Sequence, residues 1–303
     1  YNKNLAGELS RNMKKLEQGV NVVHVHGFIY DKLNEKDLLP PRVQGDNQYW
    51  NRSLPQQFKM WFDSLEVEKY DFIVIDEAQD IFQEDLIDSI FLLLKGGIES
   101  GNWAIFIDQK YQGFYGGFNE DYYNLFLNTY PCSPQFLPLN CRNHSNIIEV
   151  ASIHSGLASM PCRRLKIPMK TETTFYKNEE ELTKILNAKI KDWLAHGALP
   201  EQITVLTLNK EILQLLKKQI PTEMHQVDTE CCYQKGKVSI STIHGYKGLE
   251  SEFICVVGID EYNRNNKEMM SLLFVGYSRA KIGLSIFINE DVRAPLALSI
   301  TKI

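Results

Sequence analysis

Short apolar runs rich in β-branched residues alternate along the chain with segments of helical period. The runs span residues 22–28, 72–75, 103–107, 203–208, 238–243, 253–259 and 284–288. Such alternation is typical of a parallel sheet covered by helices, because buried parallel strands are continuously apolar and each crossover carries a helix. The pattern therefore predicts an α/β fold.

Two of the helices can be delimited from the sequence. Asn178 can cap the first, with Glu181 three residues on, and Gly197 stops it. The apolar stripe of this helix consists of Leu182, Ile185, Leu186, Ile190, Trp193 and Leu194. The second helix is predicted from roughly Lys210 to Gln219, ending before Pro221.

Proline-rich stretches predict how the chain is divided. The polar segment 30–64 interrupts the alternation and is interpreted as a small insertion on the first sheet. Three prolines fall within 131–138, between the first and second groups of strands. A chain of 303 residues has a length typical of two domains of roughly 150 residues. We therefore predict domains at 1–136 and 137–303.

Composition narrows the class of protein. Hydrophobic residues make up 44% of the chain, enough for two cores, and a net charge of −5 excludes a globally basic nucleic-acid coat while leaving room for a local basic cleft. Six cysteines without a C-x-x-C pair argue for reduced thiols rather than disulfides or a zinc site. The longest apolar runs are too short to span a bilayer. We expect a soluble, cytoplasmic protein with no membrane partner.

The run DFIVIDEAQD at 71–80 carries the candidate chemistry, since its strand ends on Asp76 and Glu77. Carboxylates at the carboxyl edge of a parallel sheet lie where open α/β proteins bind ligands. Asp76 could hold Mg²⁺ through water, and Glu77 could take a proton from water attacking a γ-phosphate. The alternative is a solvated helix start with Asp80 as its N-cap.

Several segments, in the right order, resemble motifs of the UvrD/Rep-like superfamily-one DNA helicases. The five main ones are DEAQD at 76–80 (Walker B), FIDQKYQGFYGG at 106–117 (third motif), LPLNCRNHSNI at 137–147 (fourth), VSISTIHGYKGLESEFICVVG at 238–258 (fifth) and LLFVGYSRAK at 272–281 (sixth). YNKNLAGEL at 1–9 resembles motif Ia and HVHGF at 24–28 resembles motif Ib. The resemblance extends to about residue 289.

The resemblance implies two RecA-like parallel-sheet domains of the P-loop NTPase fold, the first incomplete at its amino end. It also implies ATP and Mg²⁺ as cofactors, single-stranded or partly duplex DNA as partner, 3′–5′ movement and a monomeric protein. The catalytic residues it implies are Asp76 (the metal ligand), Glu77, Gln112, Arg142 and Arg279. Glu250 and Gly248 would bind the nucleotide. The residues in contact with nucleic acid would be His26, Tyr115, Thr242 and His244.

Each arginine has a structural alternative. Arg142 could cap the helix that begins near His144, and Arg279 could form a surface salt bridge. His26 could belong to the end of a buried strand.

The sequence departs from the family in several places. The phosphate-binding pattern G-x-x-x-x-G-K-[ST] is not found. We therefore expect a carboxyl-terminal piece of a helicase, inactive as an ATPase by itself. Cys141 replaces the aromatic residue that stacks on adenine, and Gly117 replaces a tryptophan of the third motif. The alternatives are a nucleic-acid-binding or regulatory module with a helicase fold and an NTPase switch that moves no nucleic acid.

Overall fold

The structure is a computed structural model. It describes residues 3–14, 19–42, 48–108, 118–130, 132–164, 171–219, 224–227 and 231–300. These form two compact units, one within residues 13–135 and the other within residues 136–300 together with residues 3–12. Both units are α/β with parallel strands, as the alternation of apolar runs and helical segments predicts.

Helix α1 (Lys3–Lys14) opens the described chain. The elements of the first unit are α2 (Val25–Asn34), α3 (Leu54–Trp61), β1 (Phe72–Ile75), α4 (Glu84–Phe91), α5 (Gly97–Ser100), β2 (Asn102–Ile105) and α6 (Glu120–Thr129). Strands β1 and β2 are parallel, with Phe72 opposite Asn102 and Ile75 opposite Ile105. The predicted strands at 72–75 and 103–107 are therefore present, the second shifted by one to two residues.

The strand predicted at 22–28 is wrong, because α2 begins at Val25. The His24 side chain caps this helix by accepting a hydrogen bond from the backbone N–H of Gly27 at 3.2 Å. Ile29 and Leu33, four residues apart, are then buried on one helix face. Packing of this face decides the conformation over the β preference of the valines before it.

The segment 30–64 contributes to the core of the first unit. Leu33, Tyr49, Leu54 and Phe58 are buried in the same cluster as Phe82. These side chains pack the segment against the rest of the first unit.

The second unit is built around a six-stranded parallel sheet of strand order β5-β10-β9-β6-β8-β7. Its elements are β3 (Asn140–His144), α7 (Ser145–Ser155), β4 (Cys162–Arg164), β5 (Glu172–Tyr176), α8 (Glu179–Ala195), β6 (Ile203–Thr207), α9 (Lys210–Gln219), β7 (Met224–Gln226), β8 (Val238–Thr242), β9 (Ser251–Ile259), α10 (Lys267–Ser278), β10 (Ala280–Asn289) and α11 (Arg293–Ile300). Strands β3 and β4 form a separate parallel pair. The four strands predicted between 203 and 288 are confirmed.

Both delimited helices are confirmed as well. The Asn178 side chain accepts a hydrogen bond from the N–H of Glu181 at 2.9 Å, as a capping residue should. Helix α9 has the predicted limits.

Helix α1 differs from the sequence interpretation, which assigned it to the first domain. Residues 3–12 belong to the second unit. The Asn4 side chain donates a hydrogen bond to the carbonyl of Gly245 at 2.9 Å, and Leu5 packs against Gly248.

No helix of the described ranges combines the length and apolar character that crossing a bilayer requires.

Candidate functional site

Asp76 and Glu77 follow the last residue of β1. Backbone pairing continues past the strand end, since Phe106 N–H donates to the Ile75 carbonyl at 2.8 Å and Ala78 N–H donates to the Phe106 carbonyl at 3.0 Å. The two carboxylates therefore lie at the carboxyl edge of the parallel pair, where ligands of open α/β proteins bind.

The backbone turns sharply at Glu77. Its φ of 52° and ψ of 40° are left-handed, a conformation that costs about 1–2 kcal/mol for a residue with a Cβ atom. Its N–H donates to the Asp76 carboxylate at 3.0 Å. Asp76 is exposed and Glu77 is half-buried, so both carboxylates can reach solvent or a ligand.

A buried glutamine fixes the Glu77 carboxylate. Gln79 is 1% exposed, and its side-chain nitrogen donates to Glu77 Oε2 at 2.5 Å. Its side-chain oxygen accepts a hydrogen bond from the N–H of Asp108 at 2.9 Å. One amide thus ties the carboxylate to the backbone that follows β2. Gln79 lies within the DEAQD segment, but the sequence alone assigned it no role.

The same turn bears on the alternative interpretation of the carboxylates. Asp80 is 3% exposed and lies in the 3₁₀ turn Ala78–Asp80, whereas α4 begins at Glu84 after Gln83. Asp80 is therefore not the N-cap of α4.

Gln112 and Tyr115, expected at the γ-phosphate and at DNA respectively, lie outside the described residues.

In the second unit the structure brings Arg142 and Glu250 together. Arg142 Nε donates to Glu250 Oε2 at 2.5 Å, and Lys281 Nζ lies 2.7 Å from the other carboxylate oxygen. Burial acts to raise the pKa of Glu250, but the hydrogen bonds and charges of Lys281 and Arg142 outweigh it, so the net pKa is lowered. The carboxylate stays ionised between two cations. Lys281 was not anticipated, and Arg142 does not cap the helix near His144.

Asn143 fastens β3 to the end of α10. It is fully buried, and its side-chain nitrogen donates to the carbonyls of Ser278 and Ala280 at 2.8 and 2.5 Å. These carbonyls flank Arg279. Strand β3 is therefore anchored to the segment that joins α10 to β10, a connection that the sequence did not reveal.

Arg279 is 1% exposed and ends α10. Its Nε donates to the carbonyl of Val275 at 3.1 Å, and its Nη2 lies 3.4 Å from the Ser278 hydroxyl. A guanidinium at a helix carboxyl end interacts favourably with the exposed carbonyls. The burial rules out the surface salt bridge considered from the sequence.

The turn after β8 holds the expected DNA-side residues. The Thr242 hydroxyl accepts a hydrogen bond from the N–H of Gly245 at 3.1 Å, so its oxygen shapes the turn. His244 is half-buried, and burial lowers its pKa against the opposing charge of Glu268. Uncharged His244 offers a hydrogen bond rather than a fixed positive charge.

Gly248 is required in the same turn. Its φ is +83°, and a Cβ atom there would lie 2.4 Å from Leu5 Cδ2. We expect Gly248→Ala to lower the free energy of unfolding by about 1–3 kcal/mol, because a strained backbone is combined with a displaced Leu5. Gly236→Ala is the matched control, since φ there is +75° but nothing lies within 4 Å. Denaturant unfolding measures both variants; equal losses would contradict a close α1 contact at Gly248.

His26 is not a surface residue. It is 4% exposed, its Nε2 lies 3.1 Å from the Asn51 side-chain oxygen, and burial lowers its pKa to about 4. It is therefore uncharged at neutral pH and does not supply a positive charge to a phosphate.

Among the described residues, no group of three or more His, Cys, Asp or Glu side chains could hold a metal ion. Mg²⁺ needs fewer protein ligands, because it keeps several waters and takes one or two carboxylates together with phosphate oxygens. The exposed Asp76 carboxylate fits that requirement.

No protein-family model matches the sequence, and a search of curated proteins gives no match. Among solved structures, the chain is similar to the carboxyl-terminal domain of a possible DNA helicase from Lactobacillus plantarum WCFS1. The identity is 14%, the match covers 50% of this chain and 88% of that one, and the TM-score is 0.39.

Proposed function

We propose that the chain carries the Walker B part of the nucleotide site of an ATP-dependent DNA helicase or translocase, which couples ATP hydrolysis to 3′–5′ movement on single-stranded DNA. The observation that carries the proposal is the arrangement at the end of β1. There Gln79 is bonded both to the Glu77 carboxylate and to the backbone of Asp108.

Glu77 would act as the general base in this proposal. A base must hold its carboxylate in a fixed orientation within hydrogen-bonding reach of the attacking water, and the buried amide of Gln79 holds the Glu77 carboxylate through Oε2. Asp76 would hold Mg²⁺ through water. The metal would neutralise charge on the phosphates.

Arg142, Arg279 and Gln112 would stabilise negative charge on the phosphoryl group, as the resemblance implies. Arg142 is paired with Glu250 in the described structure. A phosphate that used Arg142 would therefore compete with this carboxylate. Glu250 and Gly248 would serve the nucleotide, while Tyr115, Thr242 and His244 would face DNA.

One set of observations favours a second candidate, a nucleic-acid-binding or regulatory module that does not hydrolyse ATP. The charge of Arg142 is compensated by Glu250, and Arg279 is 1% exposed. Neither guanidinium is presented to a phosphate in this arrangement.

Strand displacement tests the proposal. The complete gene product that contains this chain is mixed with partly duplex DNA carrying a 3′ or a 5′ single-stranded tail. We expect displacement from the 3′-tailed substrate with ATP and none with a non-hydrolysable analogue. If both DNA substrates are bound but neither is displaced, with ATP or with the analogue, the helicase proposal is overturned in favour of the nucleic-acid-binding module.

A further inference from the structure

An exposed tryptophan with an arginine over it lies in the first unit, between α2 and α3 in the sequence. The Trp50 side chain is 37% exposed. The guanidinium carbon of Arg42 lies 5.8 Å from the centre of the Trp50 ring and 5.7 Å from that of Tyr49. We call Arg42 and Trp50, with the rings that support them, the Arg42–Trp50 surface.

Three other rings hold the indole. Tyr49 meets it edge-on at 5.3 Å between ring centres, His26 edge-on at 6.2 Å, and Tyr30 lies 6.0 Å away at a tilt. Tyr49 and His26 are buried, at 3% and 4% exposure. The tryptophan is therefore positioned before any ligand arrives, which reduces the entropy lost on binding.

The charge of Arg42 is not compensated within the part of the chain that the structure describes. Its interactions there are with the two rings, and no carboxylate pairs with it. By contrast, Arg11, Arg142 and Arg293 each form an ion pair with a glutamate. An uncompensated guanidinium beside an exposed indole favours an anionic ligand with a flat ring.

His26 lies behind this surface and does not present a charged side chain there. The imidazole is buried against Trp50 and is uncharged, since its pKa is about 4. On the Arg42–Trp50 surface, Trp50 supplies the exposed ring and Arg42 supplies the positive charge.

We propose that the Arg42–Trp50 surface binds an unpaired base of a single-stranded nucleic acid. The base stacks on the indole of Trp50, and the guanidinium of Arg42 attracts the strand's phosphates and adds a cation–π contact. The inference deepens the nucleic-acid part of the proposed function and rests on it. It assigns two contact residues to a segment that no helicase-like motif covers.

The test is a binding titration of the complete chain with a fluorescently labelled oligothymidylate of about 16 nucleotides, a length within the usual range of such sites. A second probe has the same length and charge but abasic positions. We expect the wild type to prefer the oligothymidylate. Oligouridylate in a parallel titration tells DNA from RNA as the source of the base.

We expect Trp50→Ala to weaken oligothymidylate binding about tenfold and to abolish the preference over the abasic strand, as loss of one stacking contact requires. Arg42→Gln should weaken binding to both probes. Trp61→Ala and Arg293→Gln are the matched controls. Trp61 is 41% exposed in the same unit, and Arg293 lies over Phe175 but is paired with Glu290. Neither control should change affinity.

Trp50→Phe separates stacking from folding, because it keeps an aromatic face and should retain most of the preference for bases. Circular dichroism melting checks that each variant folds. If the wild type binds oligothymidylate while Trp50→Phe, Trp50→Ala and Arg42→Gln bind as well as the controls do, this inference is overturned and the proposed function stands. If the wild type binds neither probe, the DNA part of the proposed function fails as well.

Discussion

Glu77→Gln is expected to abolish DNA-stimulated ATP hydrolysis while leaving ATP binding nearly unchanged. The substitution keeps the shape of the side chain but removes its ability to accept a proton. General-base catalysis contributes about 10²- to 10⁴-fold to rate, so a loss of that size in kcat is expected. The measurement is steady-state hydrolysis with single-stranded DNA, together with the Kd of a labelled ATP analogue, on the gene product that contains this chain.

Glu84→Gln is the control for that variant. Glu84 is an exposed carboxylate in the first turn of α4, in the same unit as Glu77, and has no part in the β1 edge. Glu84→Gln should leave kcat and the Kd for the ATP analogue unchanged. Unchanged turnover in Glu77→Gln would take the role of general base away from Glu77.

Gln79→Leu is expected to lower kcat about 10- to 100-fold with little change in the Kd for ATP. Mutation of a residue that fixes the orientation of a ligating side chain through a hydrogen bond typically lowers activity by a factor of this size. Leucine has a similar volume, so it removes the hydrogen bonds to Glu77 and to the Asp108 N–H without opening a cavity. In the proposed mechanism Gln79 would act as a positioning residue, because its side chain holds one oxygen of the Glu77 carboxylate.

A merely structural role for Gln79 makes a different prediction. Ser89 is a matched buried residue of the same unit, whose hydroxyl lies 2.7 Å from the Asp85 carbonyl and 3.1 Å from the Pro55 carbonyl. Ser89→Ala and Gln79→Leu should each lower the free energy of unfolding by about 1–3 kcal/mol. Only Gln79→Leu should lower kcat. Equal kcat in the two variants would leave Gln79 a purely structural residue.

Much of the second unit could be predicted because its signals are local. The cap at Asn178 and the continuous apolar runs of β6 and β9 each specify their element within a few residues. The strand predicted at 22–28 failed for the opposite reason. Its conformation is decided by burial of Ile29 and Leu33 against partners far along the chain, which a short apolar run does not encode.

Likewise, one part of the candidate site could be predicted from the sequence and another part could not. The position of Asp76 and Glu77 at a strand end could be predicted from the apolar run before them. The contacts of Gln79 with Asp108 and of Arg142 with Glu250 could not, since they join residues 29 and 108 positions apart. The burial of His26 also depends on Trp50 and Asn51, which belong to the segment interpreted as a small insertion on the first sheet.

The central claim is that Asp76 and Glu77, at the end of β1, act in ATP hydrolysis that is stimulated by DNA. The most direct measurement is the ATP hydrolysis rate of the gene product that contains this chain, for the wild type and for Glu77→Gln, each with and without single-stranded DNA. The account predicts that DNA raises the wild-type rate several-fold and leaves the Glu77→Gln rate at background. A wild-type rate that DNA does not change, or a Glu77→Gln rate equal to that of the wild type, would contradict it.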